Sequence, residues 1–533
     1  GVGAAALVAL TLNYAPTVAQ AAPACKVGPV TQCVGATSDG APYVMQVPAN
    51  FNGTAFLFSH GYRYNIELPA LGYPKVLNTP VPAPGDSVAK ITEVATYLLS
   101  KGYAVFGSGF ARQGWNADSG IATDVELIKT FKTQFTATKH VAAWGESLGG
   151  FITQGLAEQH PELVDAVAPL CMAAGSVEAE MTMAGDFLWG VKMFFDPSIK
   201  GGNYAAGAAG VAEATVDLGK VIAVFTKLSK TIPQELVTGK PVWPDTAPAA
   251  ISGSGIPARS ALLLVGLMSG IPTQSAHFDG TTGPGSVNSS SYTGFALAGS
   301  PALAILENGS TAAALGVLVT ADLENQAGGA IFDNSKTDYA ARVADESGIF
   351  NAGLSGSSAI AGMLGYLKAA PRATASPAAV AKMHALASHT GKINVPTITM
   401  TGIADPTTPA GNAQWIAEKY AAQYEAQKNA NIKAGKPRGA YALASIWGMT
   451  PGHYTKFDAA SSPITSGVAP ANGTNHCNFT VKQYKGVADL LASAAISGKL
   501  DLPGKVANVV RKMGGSIIDS NVKPPLLKFY QEE

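Results

Sequence analysis

The sequence has no surplus of charge. Its 533 residues carry 36 Lys and Arg against 36 Asp and Glu, so no long-range field draws nucleic acid or an anionic membrane surface to it. It has no His-Glu-x-x-His and no Cys-x-x-Cys, which removes the commonest zinc frameworks, and no metal or other cofactor is expected. Beyond the N-terminus, no apolar run approaches bilayer-spanning length without Gly, Pro or charge, so no membrane span is expected. The stretch from about 175 to 390 shows no internal repeat. These absences leave a globular protein whose partner is neutral or apolar.

What is present is length and apolar content. With 47% apolar residues, the chain can bury more than one core, and beyond about 300 residues a single core gives way to a second domain or a large insertion. The opening "GVGAAALVALTLNYAPTVAQAAPAC" has the apolar run and small-residue step of a secretory signal over residues 1–24, without a charged start. Secretion, extracellular or periplasmic, is the expectation, and an Ala-rich terminus is the plainer alternative. Cysteine is scarce, at four. In an exported chain four cysteines predict two disulfides with three possible connectivities. Cys25 and Cys33 are close enough in sequence to pair locally, which leaves Cys171 and Cys477.

Short apolar runs bounded by turn residues recur at 43–47, 54–61, 102–109, 140–145 and 163–171, separated by helical patterns such as 87–102. Apolar strands alternating with helices predict a parallel sheet covered on both faces. The pattern returns with strands at 395–402 and 440–448 and helices at 411–428 and 481–499. Between 175 and 390 it breaks into helical and Gly/Ser-rich pieces. The expected organisation is therefore a core formed by 25–174 and 391–533, with a mostly helical cap or lid at 175–390. An independent helical domain is the alternative.

In "HVAAWGESLGGF" (140–151) a strand runs into Gly-x-Ser-x-Gly and then a helix. With 59 glycines the pattern alone says little, but it occurs once and between a strand and a helix. That context holds a serine hydroxyl above a sheet end, in a turn too tight for side chains at its glycines. Ser147 is the candidate nucleophile.

With these features the chain resembles the α/β-hydrolase superfamily of serine esterases and lipases, over roughly 40–175 and 390–500. The resemblance implies an α/β fold with a mostly parallel sheet, and a base, an acid and oxyanion donors around Ser147. The first donor would be the Leu148 amide. His60-Gly61 resembles the His-Gly step of the superfamily's oxyanion loop and points to the amide of Gly61 or Tyr62 as the second. The order Ser, Asp, His makes Asp405, in "TGIADPTTP", the best acid; Asp458 is the runner-up, and Asp333 and Asp338 are less natural. Two histidines follow the last strand. His453 is nearer to it, but His476 in "HCNFT" leads into the closing helix as the base does in secreted esterases of this kind, and it is the expected base. Cys171 would end a strand at the same sheet edge as Ser147, so a Cys171–Cys477 bond would pin the base loop there. The layout is also similar to the tannase and feruloyl esterase family, but Glu146 stands where that family has a cysteine before its serine.

The resemblance implies hydrolysis of a carboxylic ester through an acyl-enzyme, on a small-molecule or polymeric ester. The Met- and aromatic-rich stretch 181–195, with Phe187, Trp189 and Phe194, fits an apolar or aromatic ester, although such stripes also simply form core. A peptidase or amidase with the same triad, and an inactive hydrolase fold used for binding, are the other readings.

Overall fold

The structure, a computed structural model, describes residues 22–67, 76–346, 348–349 and 355–532. Most of the expected signal segment 1–24 therefore lies outside the described residues. Ten strands form one sheet in the order β1-β2-β3-β5-β4-β6-β7-β8-β9-β10. Its centre, β5 (Ala104–Ser108), β4 (Thr54–Ser59), β6 (His140–Glu146), β7 (Ala166–Leu170), β8 (Thr397–Gly402) and β9 (Leu443–Gly448), is parallel. Antiparallel strands flank it: β1 (Ala24–Lys26), β2 (Val30–Ala36) and β3 (Pro42–Pro48) beside β5, and β10 (Ser516–Ile517) beside β9. Cys25 and Cys33 face each other across β1 and β2 and are bonded.

Burial on both faces explains the continuous apolar strands. Alternate residues of β4 serve opposite sides. Phe56 and Phe58 pack with α1 (Val88–Ser100) and the helices Val481–Ser497 and Gly504–Met513. Ala55 and Leu57 pack with α2 (Ala117–Gln134) and α3 (Leu148–Gln159). The Ser87 hydroxyl caps α1, and Thr480 and Gln483 form a capping box at Val481.

Neighbouring strands β7 and β8 are separated in sequence by residues 171–396, which are mostly helical. The insertion starts with α4 (Val177–Phe195) and α5 (Ala208–Thr238) and builds its own core from Phe187, Leu188, Val221, Leu262, Ile305 and others. The stretch Ser290–Ala327 is long and apolar enough to cross a bilayer, yet Leu303, Ile305, Val317 and Leu318 on it are buried in this core.

Candidate active site

Ser147 occupies the step from β6 to α3 with φ 58° and ψ −122°, a conformation that costs a non-glycine residue about 1–3 kcal/mol and is held by its surroundings. A Cβ on Gly145 would lie 2.3 Å from the Gly149 carbonyl, and one on Gly149 would lie 1.9 Å from that of Ser59. Both glycines of the motif are thus required by close backbone approach. This turn sits at the carboxyl end of the parallel strands, where the loops of β4, β7, β8 and β9 converge.

His476 Nε2 lies 2.8 Å from Ser147 Oγ, and His476 Nδ1 lies 3.1 and 3.0 Å from the two oxygens of Asp405. Asp405 follows β8 and is fully buried. Its Oδ1 also accepts from the amides of Thr407 and Thr408 at 2.9 and 3.0 Å, so the loop around it is wound onto its own carboxylate. Thr408 Oγ1 donates to the Cys171 carbonyl at 2.6 Å, tying that loop to the end of β7. Cys171 is bonded to Cys477, with Cα atoms 5.5 Å apart. The structure thus brings Ser147, His476 and Asp405 together.

The alternatives lie elsewhere. His453 is exposed, with Nδ1 3.1 Å from the Thr282 hydroxyl of the insertion. Asp458 and Asp333 are exposed and accept from the amides of their own turns, and Asp338 caps a short helix.

Gly61 abuts the serine: a Cβ there would lie 3.2 Å from Ser147 Cβ. Burial holds the His60 imidazole down to about 3, with Arg63 adding to the effect, so the ring is neutral. Its Nδ1 is 2.7 Å from the Gly61 carbonyl and must carry the proton it donates there. That bond fixes the peptide between Gly61 and Tyr62. Because the peptide is trans, the Tyr62 N–H points opposite to a carbonyl turned toward His60. Leu148 opens α3, and its N–H has no acceptor within the helix.

Two cavities meet at Ser147. One is apolar, lined by Trp115, Met181, Met183, Phe187, Leu315 and Val319, with Glu180 as its charged-type residue. The other is more polar, lined by Arg63, Tyr64, Asp86, Glu146 and His476. Of the three aromatic residues expected at a pocket, Phe187 lines the apolar cavity. Trp189 stacks on Tyr339 and Phe194 on Tyr366, because only one face of α4 turns toward Ser147.

Burial disfavours a charged His476, but the charge and hydrogen bond of Asp405, followed by Glu146 and Glu180, outweigh it and raise the imidazole above its ordinary value. Glu146 is itself pushed up to about 7 by burial, against hydrogen bonds from the Tyr484 hydroxyl and the Gly85 amide. Burial pushes Glu180 up to about 8 against its bond from Asn412. Neither carboxyl is marked in the sequence as part of a pocket.

The strand order, the insertion between β7 and β8 and the serine turn define an α/β-hydrolase fold. No family model and no curated protein matches the chain. Among solved structures it is similar to feruloyl esterase B from Aspergillus oryzae, at 13% identity over 78% of this chain and 72% of that one, with a TM-score of 0.32. It is also similar to the rice cell wall degrading esterase LipA from Xanthomonas oryzae, at 12% identity over 80% and 85% and a TM-score of 0.29. A Pyrococcus furiosus esterase aligns at 14% identity over 29% of this chain and 55% of its own, little more than half its length, with a TM-score of 0.22.

Proposed function

We propose that the protein is a secreted serine hydrolase that cleaves carboxylic esters through an acyl-enzyme. The observation that carries this reading is the continuous chain of short contacts from Ser147 Oγ through His476 to Asp405. In the proposed reaction Ser147 attacks the ester carbonyl while His476 Nε2 takes its proton. Asp405 fixes the imidazole with its proton on Nδ1 and stabilises the cation that forms. The amides of Leu148 and Tyr62, or of Gly61, receive the oxyanion. His476 then returns the proton to the leaving alcohol, and water repeats the cycle on the acyl-enzyme to release the acid.

The apolar cavity supports an apolar or aromatic acyl group, and the polar recess beside His476 supports exit of the alcohol on that side. In this reading residues 175–390 form the cap that supplies the acyl side. Two disulfides among four cysteines support an oxidising destination.

A fluorophosphonate probe tests the reading. Wild-type protein should be labelled at Ser147 and Ser147→Ala should not, and aryl esters should turn over in preference to aminoacyl anilides. Absence of labelling, or faster anilide cleavage, would overturn it.

A further inference from the structure

Glu180 is a carboxyl inside a mostly apolar cavity. It sits in the first turn of α4, is 9% exposed, and lines the cavity that reaches Ser147 together with Met181, Met183 and Phe187. Among the described residues no Lys or Arg forms an ion pair with it, and of the charges that act on it only that of His476 favours the ionised form. Taking an unpaired carboxylate out of water is far more costly than taking out a carboxylic acid. Its value of about 8 follows from that burial, opposed by Asn412 and reinforced by the nearby charge of Asp405. At neutral pH the group is therefore mostly the protonated acid.

The partner of Glu180 is rigid. Asn412 is fully buried, its Oδ1 accepts from the Ala174 amide at 2.9 Å, and its Nδ2 donates both to the Pro409 carbonyl at 3.1 Å and to Glu180 Oε1. The two backbone contacts fix which way the amide faces, so Asn412 presents an N–H to Glu180 and nothing else. Oε1 is thereby an acceptor, which places the acid proton on Oε2, and the only side-chain hydrogen bond of Glu180 among the described residues is the one from Asn412. One O–H donor faces a cavity whose other walls are mostly methyl, thioether and ring surface, with Tyr62, Ser147, Thr407 and Thr408 as the other polar lining residues. A buried donor without an acceptor is costly, and the cost is recovered when a ligand supplies one.

Given the ester-hydrolase reading on which this rests, we infer that Glu180 is a specificity-determining residue of the acyl side, selecting acyl groups that carry an acceptor oxygen, as hydroxyl, ether or ketone, on an apolar frame. A plain alkyl acyl group would fill the same cavity and strand the donor. Sites built around such a donor reject the analogue that lacks the acceptor more strongly than they reject a missing methylene. If the carboxyl served only to hold Asn412 and the start of α4, its replacement would lower turnover of all acyl groups alike.

The test is a series of 4-nitrophenyl esters of one chain length, in which a single hydroxyl is walked along the acyl chain, beside the unsubstituted ester and an amino-substituted one. Wild-type protein should favour one hydroxylated position over the plain ester by tenfold or more in kcat/KM. Glu180→Gln keeps an acceptor for Asn412 and an N–H donor for the ligand, and should retain that ratio within about threefold. Glu180→Leu should bring it to about one. The wild-type preference should fade above pH 8, as the proton is lost, while that of Glu180→Gln should not; this comparison decides the matter if the Leu variant does not fold. No preferred position, a ratio unchanged in Glu180→Leu, or preference for the amino ester, which calls for an ionised carboxylate, would each overturn the inference. Absence of hydrolysis of every ester would instead refute the underlying ester-hydrolase reading.

Discussion

Cys477 is bonded to Cys171 across 306 positions, so the residue after His476 is fastened to the residue that follows β7. Both cysteines have positive φ, 51° and 40°, as does Asn475 on the other side of His476, at 58°. Backbone of this kind persists only where neighbouring contacts hold it. The paired replacement Cys171→Ser with Cys477→Ser should therefore lower kcat by more than tenfold while far-ultraviolet circular dichroism stays native. It should also reduce unfolding free energy by about 2–4 kcal/mol. Full kcat in the double variant would mean that the contacts of Asp405 suffice to hold the base loop.

His476→Ala should lower kcat/KM by about 10⁴-fold or more, and Asp405→Asn by about 10⁴-fold, because a neutral amide no longer favours the proton on Nδ1. His453→Ala should leave turnover within about twofold, since that ring is exposed and meets the insertion at Thr282. Ester kinetics on the three variants checks this. The opposite ranking of the two histidines would move the base to His453.

How much of this was legible in the sequence depends on where the determining contacts lie. The central strands read clearly because burial on both faces writes them as continuous apolar runs, and the 140–151 stretch carried its turn in its own glycines. β1 and β2 were not read, because β2 lies at the sheet margin and its residues alternate without a clean apolar face. His476 and His453 could not be separated by spacing alone, since the contact that distinguishes them crosses 329 positions to Ser147. Glu180 was hidden more deeply. Within "SVEAEMTMAGDF" it reads as a solvated helix-start acid, and what makes it otherwise is Asn412, 232 positions away.

Glu146 should set the acidic limb of the pH profile. The base works only as neutral imidazole, so kcat/KM rises as His476 loses its proton, and its raised value places that limb above pH 6.5. The Glu146 charge is one of the causes that raise it. Glu146→Gln keeps an acceptor for the Tyr484 hydroxyl and removes the charge that Glu146 carries as pH rises through about 7, so the limb should move to lower pH and activity near pH 7 should rise relative to that at pH 8. An unmoved limb in a pH–kcat/KM series would mean that Asp405 alone sets the imidazole.

Asp279 should tether the insertion to the loop that leads to the base. It is 1% exposed, and its carboxylate accepts from the amides of Thr281 and Thr282 on its own segment and from those of Tyr454 and Thr455 after β9, at 2.7–2.9 Å. Next to it the Ala471 amide donates to the Ala276 carbonyl at 3.0 Å, which holds the same base-carrying chain from the other side. Burial works against the charge of Asp279, but the hydrogen bonds from Thr455, Tyr454, Thr281 and Thr282 outweigh it and bring the carboxyl down to about 2. A value below that of the unfolded chain means stability that is present above pH 4 and lost as pH falls from about 4 toward 2. Asp279→Asn should thus destabilise by about 3 kcal/mol at pH 7, where it leaves donors facing an uncharged and partly repelling amide. The gap to wild type should narrow between pH 4 and pH 2.5 in urea unfolding. A gap that stays constant over that range would mean that the bonds at Asp279 do not depend on its charge.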